Sequence, residues 1–192
     1  SPSSRTPAAS SSKKKNKKEA GWKREIIEVV VAFFIAWLAY QGLSVVMGTT
    51  MPVVSVVSDS MYHKSHFDYW WAGNSQYYNQ YGIGKDTFKT FKAVNGLSRG
   101  DLLLIERPDN LKIGDILIYR CSATWSCSYA RSGELIIIHR LIGIDSNGKY
   151  IVKGDNNAIA DNPVPKEYIL GKSVFAVPIL GYPRLLLHLF GI

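Results

Sequence analysis

The longest apolar stretch of the chain runs from residue 26 to residue 47, and Glu28 is its only charged residue. A helix of these 22 residues is about 33 Å long at roughly 1.5 Å per residue, enough to cross a hydrocarbon core of about 30 Å. The pattern therefore predicts a transmembrane helix. The alternative is a cleaved secretory signal, which needs a shorter apolar stretch and a small-residue cleavage site, and Gly42 and Gly48 offer only a poor one.

A second apolar stretch, residues 52–57, is short and rich in valine. It predicts a buried strand, because β-branched side chains fit a pleated and packed surface. The stretch ends abruptly in the polar residues Ser58, Asp59 and Ser60, followed by Met61. We expect a functional group at this strand end, within a few residues of the predicted membrane surface.

From residue 100 onward the pattern changes to short apolar runs separated by turn signals such as Pro108-Asp109-Asn110. Because no helical pattern alternates with these runs, they indicate an all-β domain of barrel or sandwich type. The sequences around Gly100-Asp101 and Gly114-Asp115 resemble each other as two turn-to-strand units. The predicted strands are residues 101–106, 115–120, 135–144, 149–153 and 168–177.

The segment 62–98 is irregular in pattern and unusually aromatic. We expect it either to cap the domain, with some helix near residues 85–94, or to rest its aromatic side chains in the membrane interface. His63 and His66 have a spacing that suits a metal ion, but neither a cysteine nor a carboxylate cluster lies near them. We interpret both as solvated loop residues and expect no metal site.

The formal net charge of +8 changes the picture once it is divided along the chain. Residues 1–25 hold eight lysines and arginines against Glu19 and Glu25, so this segment alone carries +6. Its first 20 residues lack core-forming side chains, which predicts a disordered arm. The domain itself is only weakly basic, so we expect no nucleic-acid partner. Because basic residues beside a first membrane helix stay in the cytoplasm, residues 48–192 are expected outside.

Cys121 and Cys127 are the only two cysteines, and they lie on the predicted oxidising side of the membrane. One disulfide between them is therefore possible, and two free thiols in a reducing habitat are the alternative. A catalytic cysteine is less attractive, because neither has a histidine close in sequence.

Three separate positions supply the residue types that acyl transfer requires. Ser60 ends a strand, His139 interrupts the apolar run 135–142, and the turn 153–163 contains Asp155 and Asp161. Together they offer a nucleophile, a base and a carboxylate that orients the base. Taken singly, the histidine could be a satisfied core residue and the aspartates ordinary turn residues.

In chain order these sites resemble the conserved boxes of type I signal peptidases. The boxes are Ser58-Asp59-Ser60-Met61, Gly100-Asp101, Ile138-His139-Arg140 and Gly154-Asp155-Asn156-Asn157, with Asp161 following. His139 stands where bacterial members have lysine, which resembles the archaeal and endoplasmic-reticulum branch. The resemblance extends from the membrane helix to residues 181–183, and it implies a serine endopeptidase that needs no cofactor.

The resemblance also implies a role for each site residue. Ser60 is the expected nucleophile, His139 the general base and then acid, and Asp161 the carboxylate that orients the imidazole. Asp155 is expected to support the site by bonding the backbone of its own turn. The backbone N–H of Ser60 and the hydroxyl of Ser58 are the expected donors to the oxyanion.

These interpretations divide the chain into four parts. We expect a disordered basic cytoplasmic tail at 1–25, a transmembrane helix at 26–47, an extracytoplasmic β-rich catalytic domain at 48–178, and an apolar membrane-proximal segment at 179–192. The expected partners are the signal peptides of secreted preproteins, the lipid bilayer and the protein-translocation channel. The expected location is the cell membrane, with a single crossing.

Two other functions fit parts of the pattern. A membrane-anchored β-domain could bind secreted chains without cleaving them, although the presence of all three triad residue types argues against this. A self-cleaving enzyme of the Ser/Lys type could use Lys153 as its base, although the membrane helix and His139 argue against that.

Overall fold

The computed structural model describes residues 10–122, 134–178 and 180. The chain divides into two compact units, one ending at Leu43 and the other beginning at Ser44. Helix α1 spans Ser10–Met47, and its part Trp22–Met47 is long and apolar enough to cross a membrane. The apolar side chains of this part are not buried in protein, as expected for a helix that lipid covers.

Helix α1 begins well before the start predicted at residue 26. Residues 10–25, predicted as disordered, are helical, and residues 1–9 lie outside the described part of the chain. Lysine and alanine favour helix, and neither Gly nor Pro interrupts residues 10–20. The apolar helix can therefore extend toward the N-terminus through the basic segment.

The second unit is built on one antiparallel sheet of six strands, in the order β1-β2-β6-β3-β4-β5. The mainly β fold class is thus confirmed, with a single sheet as its framework. All five strands predicted after residue 100 are present, with ends within two residues of the prediction. The strands are β1 Val53–Ser55, β2 Leu102–Glu106, β3 Ile116–Ser122, β4 Glu134–Ile144, β5 Tyr150–Lys153 and β6 Ile169–Val177.

The central strand β3 is apolar on both faces, because the sheet is covered on both sides. Leu117 and Tyr119 belong to one core cluster, with Val152 of β5. Ile116 and Ile118 belong to another, with Met61 from the turn after β1. This alternation places side chains of β3 next to the residues predicted as functional.

The segment 62–98 forms a cap on the sheet, made of α2 Phe67–Asn79 and α3 Lys85–Lys89. Its aromatic core includes Trp70, Tyr78 and Phe88, and it packs against Ile142 of β4. The cap alternative is therefore the one that the structure supports, although Tyr69 is 79% exposed. Helix α2 was missed because polar residues separate its buried aromatic positions.

The two Gly-Asp units share one turn geometry. Gly100 and Gly114 both have positive φ angles, 85° and 96°. In each turn the aspartate side chain accepts a hydrogen bond from the backbone N–H three residues earlier, at 2.8 Å for Asp101 and 2.9 Å for Asp115. The repeated sequence therefore produces the same start for β2 and for β3.

Cys121 is buried in β3 and takes part in a disulfide. Cys127 lies outside the described residues, so its pairing with Cys121 stays a prediction. The C-terminal segment 179–192 also lies outside them, apart from Leu180.

Candidate active site

Ser60 lies in a tight turn after β1. The backbone N–H of Tyr62 closes this turn by donating to the carbonyl oxygen of Asp59 at 3.0 Å. The Ser58 and Ser60 hydroxyl oxygens are 3.1 Å apart. The structure thus brings together the predicted nucleophile and the predicted oxyanion donor.

The loop after β5 is bonded directly to the Ser60 turn. The backbone N–H of Asn156 donates to the carbonyl oxygen of Ser60 at 2.8 Å, and the Asn156 side chain donates to the carbonyl oxygen of Asp59 at 3.0 Å. The two segments are nearly a hundred residues apart in sequence. These bonds fix the serine against the loop that supplies both predicted aspartates.

His139 lies on β4, is 4% exposed, and is hydrogen-bonded to Asp161. Its Nδ1 donates to the Oδ2 atom of Asp161. The backbone of Asp161 is held in turn, because its N–H donates to the carbonyl oxygen of Val152 at 2.9 Å. The predicted base and the predicted orienting carboxylate are therefore in direct contact.

The atoms around Gly154 locate Nε2, the other ring nitrogen of His139. A Cβ added at Gly154 would lie 2.7 Å from Nε2 of His139 and 2.8 Å from the carbonyl oxygen of Ser60. Nε2 of His139 and the carbonyl oxygen of Ser60 therefore both lie close to one point, the position of the added Cβ atom. Nδ1 faces Asp161 while Nε2 lies beside the serine turn, and only glycine leaves room for this approach.

Asp155 is fully buried, and its role differs from the one predicted. Its carboxylate accepts hydrogen bonds from Arg140 at 2.7 to 3.3 Å, from the hydroxyl of Tyr78 at 2.9 Å, and from Nε2 of His63 at 3.0 Å. It therefore bonds side chains of β4 and of the cap, and not the backbone of its own turn. A buried carboxylate without partners is energetically unfavourable, so Asp155 accepts hydrogen bonds from side chains of several elements.

The pKa of Asp155 reflects a competition between burial and its partners. Burial alone would raise this pKa, but the charge of Arg140 and the hydrogen bonds from His63 and Arg140 hold it well below its ordinary value. Burial also raises the pKa of Tyr78, with a further contribution from Asp155. Tyr78 therefore stays protonated and donates to the carboxylate.

Arg140 uses all five of its N–H groups. Besides Asp155, it donates to the carbonyl oxygens of Lys92, Ala93 and Gly114 at 2.9 to 3.1 Å. Its guanidinium also lies over the ring of Phe88, 4.8 Å from the centroid. The position next to His139 on the strand therefore faces the cap, because successive side chains of a strand alternate between faces.

His63 is a correction to the sequence analysis. It is 5% exposed and stacks on Trp70 with 3.7 Å between the ring centroids. It is therefore a buried partner of Asp155, whereas His66 is exposed as predicted. Within the described ranges, no group of three or more His, Cys, Asp and Glu side chains could hold a metal ion.

Lys153 is buried beside the same loop. Its ammonium donates to the carbonyl oxygen of Gly154 at 3.1 Å and lies 5.1 Å from the ring centroids of both Tyr77 and Tyr78. Burial lowers the pKa of Lys153 to about 8, although the charges of Asp155 and Asp161 oppose this shift.

An open groove of about 670 Å³ lies beside the Ser60 turn. In this lining, Arg99 donates to the Asp59 carboxylate at 2.9 Å. The lining residues are Asp59, Tyr62, Lys64, Ser98, Arg99 and Asn156.

Fold and geometry together describe an antiparallel β-domain that follows a membrane-length helix and places a serine in a turn near a His–Asp pair. No family model matches the chain. Over 177 residues the chain is 24% identical to the signal peptidase complex catalytic subunit sec11 of Sclerotinia sclerotiorum, covering 85% of this chain and 79% of that protein.

Two further relatives have the same name. The subunit from Verticillium alfalfae is 24% identical over 166 residues, which are 79% of this chain and 73% of that protein. The subunit from Plasmodium falciparum is 28% identical over 98 residues, which are 45% of this chain and 48% of that protein. These similarities confirm the resemblance to type I signal peptidases of the archaeal and endoplasmic-reticulum branch.

Proposed function

We propose that the protein is a membrane-bound serine endopeptidase that removes N-terminal signal peptides from secreted preproteins, cutting after small residues. One observation carries the proposal: His139 bonds Asp161 through Nδ1 while its Nε2 lies beside the Ser60 turn. The names of the relatives, which are catalytic subunits of a signal peptidase complex, support the same activity.

In the proposed reaction the Ser60 hydroxyl attacks the scissile carbonyl, and His139 takes the hydroxyl proton at Nε2. Asp161 accepts the hydrogen bond from Nδ1 and stabilises the imidazolium. When the tetrahedral intermediate collapses, His139 gives the proton to the leaving amine, and the signal peptide remains as an ester on Ser60. A water molecule, deprotonated by His139, then hydrolyses this ester and restores the serine.

The negative charge that develops on the carbonyl oxygen needs donors already in place. We assign this role to the backbone N–H of Ser60 and to the hydroxyl of Ser58, which lies 3.1 Å from the Ser60 hydroxyl. Removing one such donor typically lowers kcat by about 10²- to 10³-fold.

The position of Ser60 suits a substrate that lies in a membrane. Ser60 follows the end of the apolar helix by only 13 residues, and an apolar signal peptide presents its cleavage site near the bilayer surface. We place the N-terminal tail in the cytoplasm and the β-domain outside the cell membrane, and we name the protein-translocation channel as the source of substrate.

The first test mixes the full chain, purified in detergent, with a preprotein. Ser60→Ala should abolish cleavage, because one hydroxyl is lost and little packing changes, so the melting temperature should stay near that of the wild type. Ser65→Ala, at an exposed position in the cap segment, is the matched control and should stay fully active. Ser58→Ala should retain weak activity.

The two alternative functions give different results in the same assay. Wild-type protein that binds the preprotein without cleaving it would support a binding domain and refute the peptidase. Lys153→Met should keep activity, whereas His139→Ala should lose it. The reverse result would identify Lys153, with its lowered pKa, as the base.

A further inference from the structure

Tyr119 of β3 lies beside His139, although the two residues are 20 positions apart in sequence. In the pairing of β3 with β4, Leu117 is directly opposite His139. Tyr119 is two residues from Leu117, so its side chain is on the same face as that of His139 and is diagonally adjacent to it. The centroids of the two rings are 6.3 Å apart.

The hydroxyl of Tyr119 donates to Oδ2 of Asp161 at 2.5 Å. A carboxylate can only accept, so the phenol is the donor. The same oxygen accepts the hydrogen bond from Nδ1 of His139, and the Tyr119 oxygen is 3.3 Å from that nitrogen. One carboxylate oxygen is therefore shared by the ring of His139 and the phenol.

Packing fixes the phenol in this position. Tyr119 is 2% exposed and belongs to a core cluster with Leu117, Leu141 and Val152. Asp161, in contrast, belongs to the loop after β5. The hydrogen bond therefore ties the side chain of a loop residue to the sheet that carries His139.

We propose that Tyr119 is a positioning residue for the Asp161–His139 pair, an inference that rests on the proposed function. The phenol holds Oδ2 in line with Nδ1, so the imidazole keeps the tautomer and the direction that leave Nε2 free for Ser60. The phenol also stabilises the negative charge on Oδ2, because a hydrogen bond to an ionised group favours the charged form of that group.

The test is Tyr119→Phe, which keeps the ring and removes only the hydroxyl. We expect kcat for preprotein cleavage to fall about tenfold or more, with KM within about twofold. Without the phenol, Asp161 interacts more strongly with a protonated His139, so the acidic limb of the kcat/KM profile should move to higher pH. A purely structural role would lower activity without moving this limb.

Tyr150→Phe is the matched control, since Tyr150 packs against the same core cluster and its hydroxyl makes no hydrogen bond among the described residues. It should keep the wild-type kcat and the wild-type pH profile. If Tyr119→Phe does not fold, a fluorinated tyrosine at 119 replaces it. Its more acidic phenol is a stronger donor, so the acidic limb should move to lower pH.

Wild-type kcat and an unmoved acidic limb in the Tyr119 variants would overturn the inference. They would leave the proposed function intact, provided that the wild type cleaves and Ser60→Ala does not. Cleavage by Ser60→Ala would instead overturn the proposed function, and this inference with it.

Discussion

Asp155 and Asp161 are six residues apart in sequence and have contrasting surroundings. Asp155 is fully buried and paired with Arg140, and it also binds Tyr78 and His63 of the cap. Asp161 contacts Nδ1 of His139, the ring nitrogen that does not face the serine turn. One aspartate therefore joins structural elements, and the other contacts the proposed base.

Asp155 should make the stability of the fold depend on pH. A carboxylate whose folded pKa is below its unfolded value contributes stability that is complete above about pH 4 and is lost as the pH falls toward the folded pKa. Burial alone would raise the pKa of Asp155, but Arg140 and His63 together lower it. Part of the acid sensitivity of the fold should thus come from this single residue.

We predict that Asp155→Asn loses stability and activity together, whereas Asp161→Asn loses activity alone. Breaking a buried ion pair leaves Arg140 uncompensated and typically costs about 3–5 kcal/mol, so Asp155→Asn should melt at a clearly lower temperature. Replacing the orienting carboxylate by an amide can lower kcat by about 10⁴-fold without disturbing the fold. Thermal melts and preprotein kinetics at neutral pH measure both effects.

Melts repeated from pH 5 downward provide the control. The melting temperature of Asp155→Asn should depend less on pH below about 4 than that of the wild type, and Asp86→Asn, at an exposed position, should behave like the wild type. A stable but inactive Asp155→Asn, together with an active Asp161→Asn, would require the two roles to be exchanged.

At the residue scale, the sequence predicted a site of Ser60, His139 and Asp161, and the structure places the last two in contact. It missed the partners of Asp155, because Tyr78 and His63 are 77 and 92 positions away in sequence. It missed Tyr119 for a related reason. The strand register that places Tyr119 beside His139 depends on pairing between strands, which a single pattern of apolar positions does not determine.

At the scale of elements, the end of β5 determines how closely the loop approaches the serine turn. We predict that Gly154→Ala lowers kcat strongly, since its methyl group would lie 2.7 Å from Nε2 of His139 and 2.8 Å from the carbonyl oxygen of Ser60. Either the imidazole or the turn must then move, and displacements of about 1 Å can cost about 100-fold in rate. Kinetics with a preprotein would measure the loss.

Gly73→Ala in α2 is the matched control, because nothing lies within 4 Å of the added methyl group. In a helix interior this change should stabilise by roughly 0.5–1 kcal/mol, and kcat should stay at the wild-type value. Full activity of Gly154→Ala would show that the loop has room to move, and that the close approach is not required.

The strands of the second half were predictable because each is an apolar run bounded by turn residues. The elements of the first half were less predictable. Strand β1 is only Val53–Ser55, although the apolar run is longer. Beyond the strand, the backbone N–H of Val56 still donates to the carbonyl oxygen of Asp101 at 2.9 Å. The cap was predicted only as one of two alternatives, because its aromatic residues follow no regular spacing in the sequence. Tertiary packing decides which of them are buried.

At the scale of the whole molecule, charge is distributed unevenly between the two units. Residues 1–25 carry +6 of the formal net charge of +8, and the helix that follows is apolar and exposed. The proposed orientation follows from the rule that basic residues beside a first membrane helix stay in the cytoplasm. This asymmetry would place the Ser60 turn on the side where secreted chains emerge.

We therefore predict that Lys64→Cys reacts with a membrane-impermeant thiol reagent added to intact cells, whereas Asn16→Cys reacts only after the membrane is opened with detergent. Ile192→Cys should react from outside, because Arg184 and His188 interrupt the apolar segment 179–192. The wild-type chain, with Cys121 and Cys127 alone, measures the background.

Labelling of Asn16→Cys in intact cells, with Lys64→Cys protected, would reverse the orientation and place the proposed peptidase site in the cytoplasm. Labelling of Ile192→Cys only after detergent would instead show a second crossing.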